Sequence, residues 1–349
     1  METKVLLPTP EAIREAAQAL KAGELVGLPT ETVYGLGANA LDENAVRKIF
    51  AAKGRPADNP LIVHVADLED AASLCYISDT ARALAQRFCP GPLTIIMPRK
   101  PVVPNVVTAN LETVAVRVPA HPVAQALLRE CGLPVAAPSA NTSGKPSPTT
   151  AAHVYHDMNG KLPVILDGGE CQVGLESTVI TLAGDIPTVL RPGGVTPEML
   201  LEVLPEVRVA DSVLRPLQAG EKALSPGMMY QHYAPGGVLT MVRGEQPNVE
   251  RVCKQLYNSA KADGKTACIL AFDEHRSAYE GMEVLSIGCL SEPETVSHKL
   301  FAVLRQLDEE GVDVMFSEIL PAEGLGLAIM NRLSRAAGFR MIDADAAED

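Results

Sequence analysis

The sequence contains no tryptophan, and aromatic residues make up only 4% of its 349 positions. Basic residues are also in the minority, since 30 lysines and arginines face 43 acidic residues and give a formal net charge of −13. This balance argues against a protein that coats nucleic acid by overall charge. Any anionic ligand must therefore be bound by a local group of cations and backbone donors.

Patterns typical of metal, disulfide and membrane proteins are missing as well. The seven cysteines are widely spaced and form neither a C-x-x-C pair nor a Cys/His metal pattern. No apolar run approaches the roughly 18 residues of a membrane helix, and the first residues are too polar for a signal peptide. We expect a reduced, cytoplasmic protein with no metal bound by its own side chains.

Short apolar runs punctuated by glycine and proline fill residues 1 to about 200. Helical spacing over 10–22 follows Thr9, a suitable N-cap, and Gly23 ends this helix. Further runs alternate irregularly between strand and helix patterns, which predicts an α/β fold with a sheet of mixed strand direction. The predicted strands are 25–28, 61–65, 93–97, 114–118, 135–137, 164–166, 178–182 and 188–191, and the other predicted helices are 43–52, 78–88 and 122–130.

The pattern changes beyond this region. No long element is predicted over 206–237, which contains SPGMMYQHYAPGG, and an α/β pattern begins again at 238. We therefore predict a first domain over 1–205, a linker acting as a lid over 206–237, and a smaller three-layer α/β (Rossmann-like) domain over 238–349. In the last domain the predicted strands are 238–242, 267–272, 284–287 and 314–316, and the predicted helices are 296–310 and 326–337.

Several well-known catalytic motifs are absent, among them G-x-G-x-x-G, H-E-x-x-H and G-x-S-x-G. Polar residues gather instead on loops beside predicted strands and helices: Lys53 and Arg55, Ser139 and Asn141, and Arg191. Each alone is more often a solvated loop residue. Because open α/β sheets bind ligands at strand ends, the set together fits an anion of the size of ATP.

Two other features allow two interpretations each. Arg117 lies inside the apolar strand VAVRVP, where its charge needs an anion from either the fold or a ligand. His64 also lies in an apolar strand, where a lone histidine is more often a core residue than a ligand-binding one. The segment Ser147-Pro148-Thr149 predicts a helix start, whose free N–H groups favour phosphate.

Seven ordered blocks resemble the YrdC-like family: LPTETVYGLGANA (28–40), KGRPADNPLIVHV (53–65), CPGPLTIIM (89–97), TVAVRVPAHP (113–122), APSANTSGKPSPT (137–149), DGGECQVGLESTVI (167–180) and LRPGGVT (190–196). The segment SPGMMYQHYAP (225–235) and the α/β pattern after it resemble the longer form of that family, the two-domain threonylcarbamoyl-AMP synthases. This resemblance implies an open twisted mixed sheet with a concave, positively charged cavity.

The resemblance also implies an enzyme of tRNA modification. The family joins L-threonine, bicarbonate and ATP into threonylcarbamoyl-adenylate and releases pyrophosphate, and a separate transferase then modifies ANN-decoding tRNAs. ATP is then a substrate that carries Mg²⁺ on its phosphates, and the reaction needs no enzyme nucleophile. The implied partners are these substrates and the transferase, with no need for stable tRNA binding and no membrane.

The resemblance assigns roles by position. It implies ATP binding by Lys53, Arg55, Asn59, Thr113, Ser139, Asn141, Ser147, Arg191 and Tyr233. It implies L-threonine binding by Thr32, His64, Arg117, Ala137 (through its backbone) and Ser177. Lys53 and Arg55 are the implied catalytic residues, because they neutralise phosphate charge, and Arg117 is the implied partner of the threonine carboxylate. Family members commonly have lysines where this linker has Met229 and Gln231.

Three competing functions remain. A tRNA- or dsRNA-binding module is disfavoured by the acidic balance and by the lack of a Lys/Arg-rich tract. A hydrogenase-maturation carbamoyltransferase would need Cys-rich zinc fingers, which this sequence lacks. A non-catalytic nucleotide-binding regulator is disfavoured because the K-x-R and S-x-N residues are intact.

Overall fold

The computed structural model describes residues 2–215 and 233–346. Within these ranges the chain forms two compact units: unit 1 comprises 2–143 and 147–213, and unit 2 comprises 144–146, 214–215 and 233–346. Most of the predicted lid, including Met229 and Gln231, lies outside the described residues. The domain limits at 205 and 237 stay a prediction.

Unit 1 is built on a sheet of eleven strands, counted over residues 2–215. The strands are β1 (Lys4–Leu6), β2 (Val26–Leu28), β3 (Gly35–Asn39), β4 (Ile62–His64), β5 (Leu93–Pro98), β6 (Thr113–Arg117), β7 (Val135–Ala136), β8 (Val164–Leu166), β9 (Thr178–Thr181), β10 (Thr188–Arg191) and β11 (Arg208–Val209). Their order is β1-β8-β2-β3-β7-β4-β6-β5-β9-β10-β11. The sheet contains parallel pairs such as β4 with β6 and antiparallel pairs such as β5 with β6, so the predicted mixed α/β sheet is confirmed.

The helices of unit 1 begin where the sequence supplies caps. Thr9 accepts a hydrogen bond from Ala12 N at the start of the first helix, and Asp42 and Ser78 cap the next two in the same way. The helices are α1 (Pro10–Lys21), α2 (Glu43–Lys53), α3 (Asp79–Phe88), α4 (Asn105–Thr108), α5 (Pro122–Cys131), α6 (Ala151–Met158) and α7 (Pro197–Leu200), with 3₁₀ turns at Leu68–Ser73 and Asp211–Val213.

The core of unit 1 lies on both faces of the sheet. The α1 and α5 helices pack with Val26, Leu28 and Val164 on one face, while Ile165 belongs to the larger cluster on the other face. Successive residues of a strand point to opposite faces, so a continuous apolar strand such as β8 supplies both clusters.

Unit 2 is a parallel α/β layer structure. Its strands are β12 (Val238–Arg243), β13 (Ala267–Ala271), β14 (Val284–Ser286), β15 (Val314–Glu318) and β16 (Met341–Asp343), in the order β14-β13-β15-β12-β16. Its helices are α8 (Gln246–Ala262), α9 (Pro293–Glu309) and α10 (Leu325–Ala336), with a 3₁₀ turn at Asp273–Tyr279. All of the pairings among these strands are parallel, as in the predicted Rossmann-like layer.

Some elements differ from the sequence prediction. The predicted helix start at 147–149 is wrong, because Thr150 is the N-cap and the α6 helix begins at Ala151. The short strands β1 and β3 and the long α8 helix were not predicted. β3 (GLGAN) is rich in glycine, and its strand conformation depends on pairing with β2 and β7, which is a tertiary effect. No described helix combines the length and apolar character needed to cross a membrane.

Candidate active site

Five neighbouring strands bring side chains into one row on a single face of the unit 1 sheet. Arg117 of β6 is paired with His64 of β4 on one side and with Thr94 of β5 on the other. Thr94 is paired with Val179 of β9, which is paired in turn with Arg191 of β10. Directly paired residues point to the same face of a sheet. The register therefore places His64, Arg117 and Thr94 on one face. A β-bulge interrupts the pairing just before Arg191, whose strand lies three strand spacings or about 14 Å from β6, and Arg191 joins the row through its contact with Ser177.

A buried hydrogen-bond network connects the β10 end of this row. Thr94 Oγ1 lies 2.8 Å from Ser177 Oγ, which also accepts a hydrogen bond of 3.1 Å from Arg191 Nη2. Arg191 Nε donates to the Ser177 carbonyl oxygen at 3.1 Å. Sequence reasoning missed Thr94, although a threonine inside the apolar strand LTIIM that is fully buried must have a polar partner. The network fixes the Ser177 hydroxyl between two strands.

Arg117, the residue of β6 in this row, is held by two residues of the loop before β3 and by the carbonyl of Gly91. Its Nη2 lies 2.7 Å from Glu31 Oε1, its Nη1 donates to Thr32 Oγ1 at 2.8 Å, and its Nε donates to the Gly91 carbonyl at 3.4 Å. Arg117 and Glu31 are each only 5% exposed. The fold therefore supplies the anion for this buried cation, so the burial of Arg117 does not itself require a ligand. Glu31 was not among the predicted site residues.

Lys53, the last residue of α2, is also buried, and its ammonium group is directed into the loop after β7. It donates to the carbonyl oxygens of Ser139 and Asn141, the latter at 2.7 Å, and to Asn141 Oδ1 at 3.2 Å. Ser139 Oγ donates to the same Asn141 Oδ1 at 2.6 Å. Lys53 thus connects the K-x-R segment to the S-x-N loop through protein acceptors.

Ser147 lies in an irregular segment four residues before α6 begins. Its hydroxyl donates to Glu176 Oε1 at 2.5 Å, and both residues are buried. Glu176 directly precedes Ser177, just before the start of β9. This contact therefore holds the segment around Ser147 close to Ser177. Glu176 is a second buried carboxylate that sequence reasoning missed.

The other predicted residues of unit 1 lie on the strands and loops around this row. Half-buried Arg55 donates to the carbonyl of fully buried Asn59 at 3.2 Å. Ala137 N donates to the Ile62 carbonyl at 3.0 Å, which fixes the backbone beside His64. Thr113 begins β6, four residues before Arg117, which corresponds to a separation of about 13 Å along the strand.

Tyr233 belongs to unit 2 and is buried there. Its ring centre lies 5.0 Å from that of Phe301, and the guanidinium carbon of Arg332 lies 5.9 Å from the Tyr233 ring centre. Its predicted role over the nucleotide stays a prediction.

The electrostatics of the row keep its histidine neutral. Complete burial, followed by the adjacent positive charge of Arg117, lowers the pKa of His64 to about 3. Burial also raises the pKa of the Cys89 thiol to about 11 and that of Cys171 to about 12. Neutral thiols are poor nucleophiles, so these cysteines do not act as covalent catalysts at neutral pH. His64 and these two thiols are therefore uncharged at neutral pH.

The described ranges contain no group of three or more His, Cys, Asp or Glu residues that could hold a metal ion. Unit 1 does provide a set of buried cations and hydroxyls on one face of its sheet. Buried carboxylates hold Arg117 and Ser147 in place, and Lys53 holds the loop after β7. Such preorganised donors fit a small, polar, anionic substrate. The fold and the site together define an enzyme of the mixed α/β class that acts on such a molecule.

Comparison with known proteins gives the family. Residues 18–193 match the Sua5/YciO/YrdC family described as "Telomere recombination", and residues 195–338 match the threonylcarbamoyl-AMP synthase C-terminal domain. The chain is 48% identical to the threonylcarbamoyl-AMP synthase of Pyrococcus abyssi over 95% of both chains, and 47% identical to that of Bacillus subtilis over 95% of this chain and 94% of the other. It belongs to the two-domain threonylcarbamoyl-AMP synthase family.

A solved structure agrees with this membership. The structure of P. abyssi Sua5 in complex with L-threonine superposes with a TM-score of 0.89 at 47% identity, covering 95% of each chain. The resemblance inferred from the seven sequence blocks is therefore confirmed, as is the fold class.

Proposed function

We propose that this chain forms threonylcarbamoyl-AMP and pyrophosphate from L-threonine, bicarbonate and ATP, for the threonylcarbamoyladenosine modification of ANN-decoding tRNAs. The observation that carries the proposal is the row of buried side chains on the unit 1 sheet. Within it, the hydrogen-bonded Arg117–Thr32 and Ser177–Arg191 pairs offer donors for a carboxylate, a hydroxyl and a phosphate. Relatives that cover the full chain carry the synthase name, and one solved relative was complexed with L-threonine.

The threonine end of the site lies around Arg117. Its guanidinium receives the substrate carboxylate, and the hydroxyls of Thr32 and Ser177 recognise the substrate's amine or hydroxyl. Buried hydroxyls that lose their partner are costly, so such contacts would discriminate threonine from valine. The backbone of Ala137 and the neutral His64 ring complete this end.

The nucleotide end lies around the loops that follow α2 and β7. Arg55 and Arg191 supply the positive charge for the phosphates, and Lys53 keeps the S-x-N loop in place. Magnesium arrives with the triphosphate as part of the substrate. The proposed nucleotide contacts are Lys53, Arg55, Asn59, Thr113, Ser139, Asn141, Ser147, Arg191 and Tyr233.

The chemistry proceeds without an enzyme nucleophile. The threonine amine forms a C–N bond to the carbon of bicarbonate or of the CO₂ derived from it, releasing water and leaving a carbamate. A carbamate oxygen then attacks the α-phosphorus of ATP, and the bond to the β-phosphate oxygen breaks to release pyrophosphate. The side chains orient the two substrates and neutralise the developing charge.

Two further features follow from the reaction. Threonylcarbamoyl-AMP is a reactive mixed anhydride, so a transferase that carries the group to tRNA is its expected consumer. Because ATP and the tRNA pool are cytoplasmic, we place the enzyme in the cytoplasm.

The test is an assay of pyrophosphate release with L-threonine, ¹⁴C-bicarbonate and ATP, together with isolation of the labelled adenylate. We expect release that depends on all three substrates. Equal release without L-threonine would contradict the proposal.

Two variants test the division of the site. Arg55→Ala should raise the KM for ATP, and Arg117→Ala should raise the KM for L-threonine, each by on the order of tenfold or more because a charge-assisted contact is lost. Equal effects of both variants on both substrates would show that the two ends are not separate.

A further inference from the structure

Glu31 is fixed at both ends of its carboxylate and at its backbone. Its Oε1 lies 2.7 Å from Arg117 Nη2, and its Oε2 accepts a hydrogen bond of 3.1 Å from Ala120 N. Its carbonyl oxygen accepts from Val173 N at 2.8 Å. Two separate segments of unit 1, residues 117–120 and the loop at Val173, therefore hold Glu31 in place.

Each nitrogen of the Arg117 guanidinium also has a contact that fixes its orientation. Glu31 lies at Nη2, the Thr32 hydroxyl at Nη1 and the Gly91 carbonyl at Nε. Glu31 Oε1 and Arg117 Nη2 make no hydrogen bond among the described residues, so the 2.7 Å ion pair is the contact that these two buried atoms share. The contact with Glu31 is thus what holds and neutralises that edge.

We propose that Glu31 is a positioning residue for amino-acid binding, acting through Arg117 and Thr32. This inference rests on the proposed function, because it concerns the threonine end of the same site. By fixing the guanidinium, Glu31 aims its remaining N–H groups at the substrate carboxylate. By cancelling the charge of Arg117, it also makes the threonine end of the site neutral, so this end favours a zwitterionic amino acid over a net anion.

The variant Glu31→Gln tests both effects because a neutral amide cannot replace the carboxylate. If its oxygen faces Ala120 N, its NH₂ group faces the guanidinium, and donor opposes donor; the flipped amide has the same conflict at Ala120 N. A cavity of about 690 Å³ that adjoins Glu31, lined also by His121 and Asp167, gives the side chain room to move. Arg117 is then free to turn and keeps an uncompensated positive charge.

The experiment uses the full-length enzyme and measures KM for L-threonine, KM for ATP and inhibition by 2,3-dihydroxybutanoate, the anion in which a hydroxyl replaces the threonine amine. For Glu31→Gln we expect the KM for L-threonine to rise about tenfold and the KM for ATP to change less than twofold. The ratio of the anion's Ki to the KM for L-threonine should fall about tenfold or more. A purely structural role would not move this ratio.

Two further variants keep the inference falsifiable. Glu31→Asp retains the charge but shortens the reach, so the KM for L-threonine should rise while the Ki of the anion rises with it. Glu318→Gln removes a matched buried carboxylate of unit 2 that accepts from Tyr279 and Gln246, and it should leave the KM for L-threonine unchanged.

The possible failures can be told apart. If the wild-type enzyme shows no threonine-dependent pyrophosphate release, the proposed function is wrong. If the wild type is active but Glu31→Gln has a normal KM for L-threonine and a normal ratio, or raises both KM values equally, the positioning role is wrong. If Glu31→Gln does not fold, an unchanged KM for L-threonine in Glu31→Asp overturns the inference.

Discussion

The role of Lys53 in the structure differs from the role that the sequence predicts for it. In the sequence it is half of a K-x-R pair and a candidate for phosphate charge. In the structure it is 3% exposed, and its ammonium donates to acceptors of Ser139 and Asn141. A buried ammonium whose donors are used by the protein contributes to the order of the loop before any substrate binds.

Removing this ammonium group should destabilise the ligand-free protein. Lys53→Met keeps the length of the side chain but leaves the loop acceptors without a donor, so the ligand-free free energy of unfolding should fall by about 2–4 kcal/mol. Urea unfolding of the ATP-free enzyme measures it, with Lys161→Met, an exposed lysine bonded to one carbonyl, as the control. An unchanged or higher stability would mean that Lys53 serves the phosphates alone.

At the scale of elements, the loop after β10 packs tightly against the segment that leads into β9. A Cβ atom on Gly193 would lie 2.3 Å from Thr178 N and 2.6 Å from the Glu176 carbonyl oxygen, both of them backbone atoms. Thr178 Oγ1 also donates to the Val195 carbonyl at 2.6 Å. The glycine is therefore required for the close approach that positions Ser177 next to Arg191.

Gly193→Ala should force these two segments apart. We expect a loss of about 1–3 kcal/mol in stability from overpacking, together with a higher KM for L-threonine as Ser177 shifts. Thermal unfolding and steady-state kinetics measure the two effects. Gly184→Ala lies in the turn between the same two strands, where a Cβ meets nothing within 4 Å, and should behave like the wild type. Equal results for the two variants would refute this packing argument.

At the scale of the whole molecule, an acidic chain buries cations in both of its units, and those of unit 1 lie in the candidate site. Lys53, Arg117 and Arg191 are each at most 6% exposed, beside the neutral His64. The native state therefore excludes a proton from His64 until the pH approaches about 3, whereas an unfolded histidine binds one below about pH 6.5. The contribution of His64 to the free energy of unfolding is fully present above about pH 6.5 and is lost as the pH falls towards about 3.

The pH dependence of unfolding tests this point. Between pH 6 and 5, before most carboxylates titrate, His64 should cause stability to fall with decreasing pH by up to about 1.4 kcal/mol per unit. His64→Gln should have a shallower slope over that interval, measured by urea unfolding at a series of pH values. If both proteins have the same slope, His64 is not the group responsible.

Much of the fold was predictable because its signals are local. The cap at Thr9, the helical pattern over 78–88 and the apolar runs of β8 and β10 gave correct elements. The α6 start was misjudged because Thr150, and not the segment from Ser147, supplies the capping hydroxyl.

The candidate site was predictable as a set of residues but not as an arrangement. Loops rich in Lys, Arg, Ser and Asn identified its members. The contacts that give those members their roles connect residues far apart in the chain, such as Arg117 with Glu31 and Ser147 with Glu176. Glu31 and Glu176 carry no local signal that distinguishes them from ordinary polar residues, and Thr94 is marked only by its position inside an apolar strand.

The sequence by itself determined that an acidic chain must bind any anion through a local cluster, and its ordered blocks identified the family. Only the tertiary structure decided which cations are held by the protein: Lys53 by a loop, and Arg117 by Glu31. The physical reason is that burial makes an unpaired charge too costly, and the partner that offsets this cost is chosen by strand order and register. Strand order and register are properties of the folded sheet.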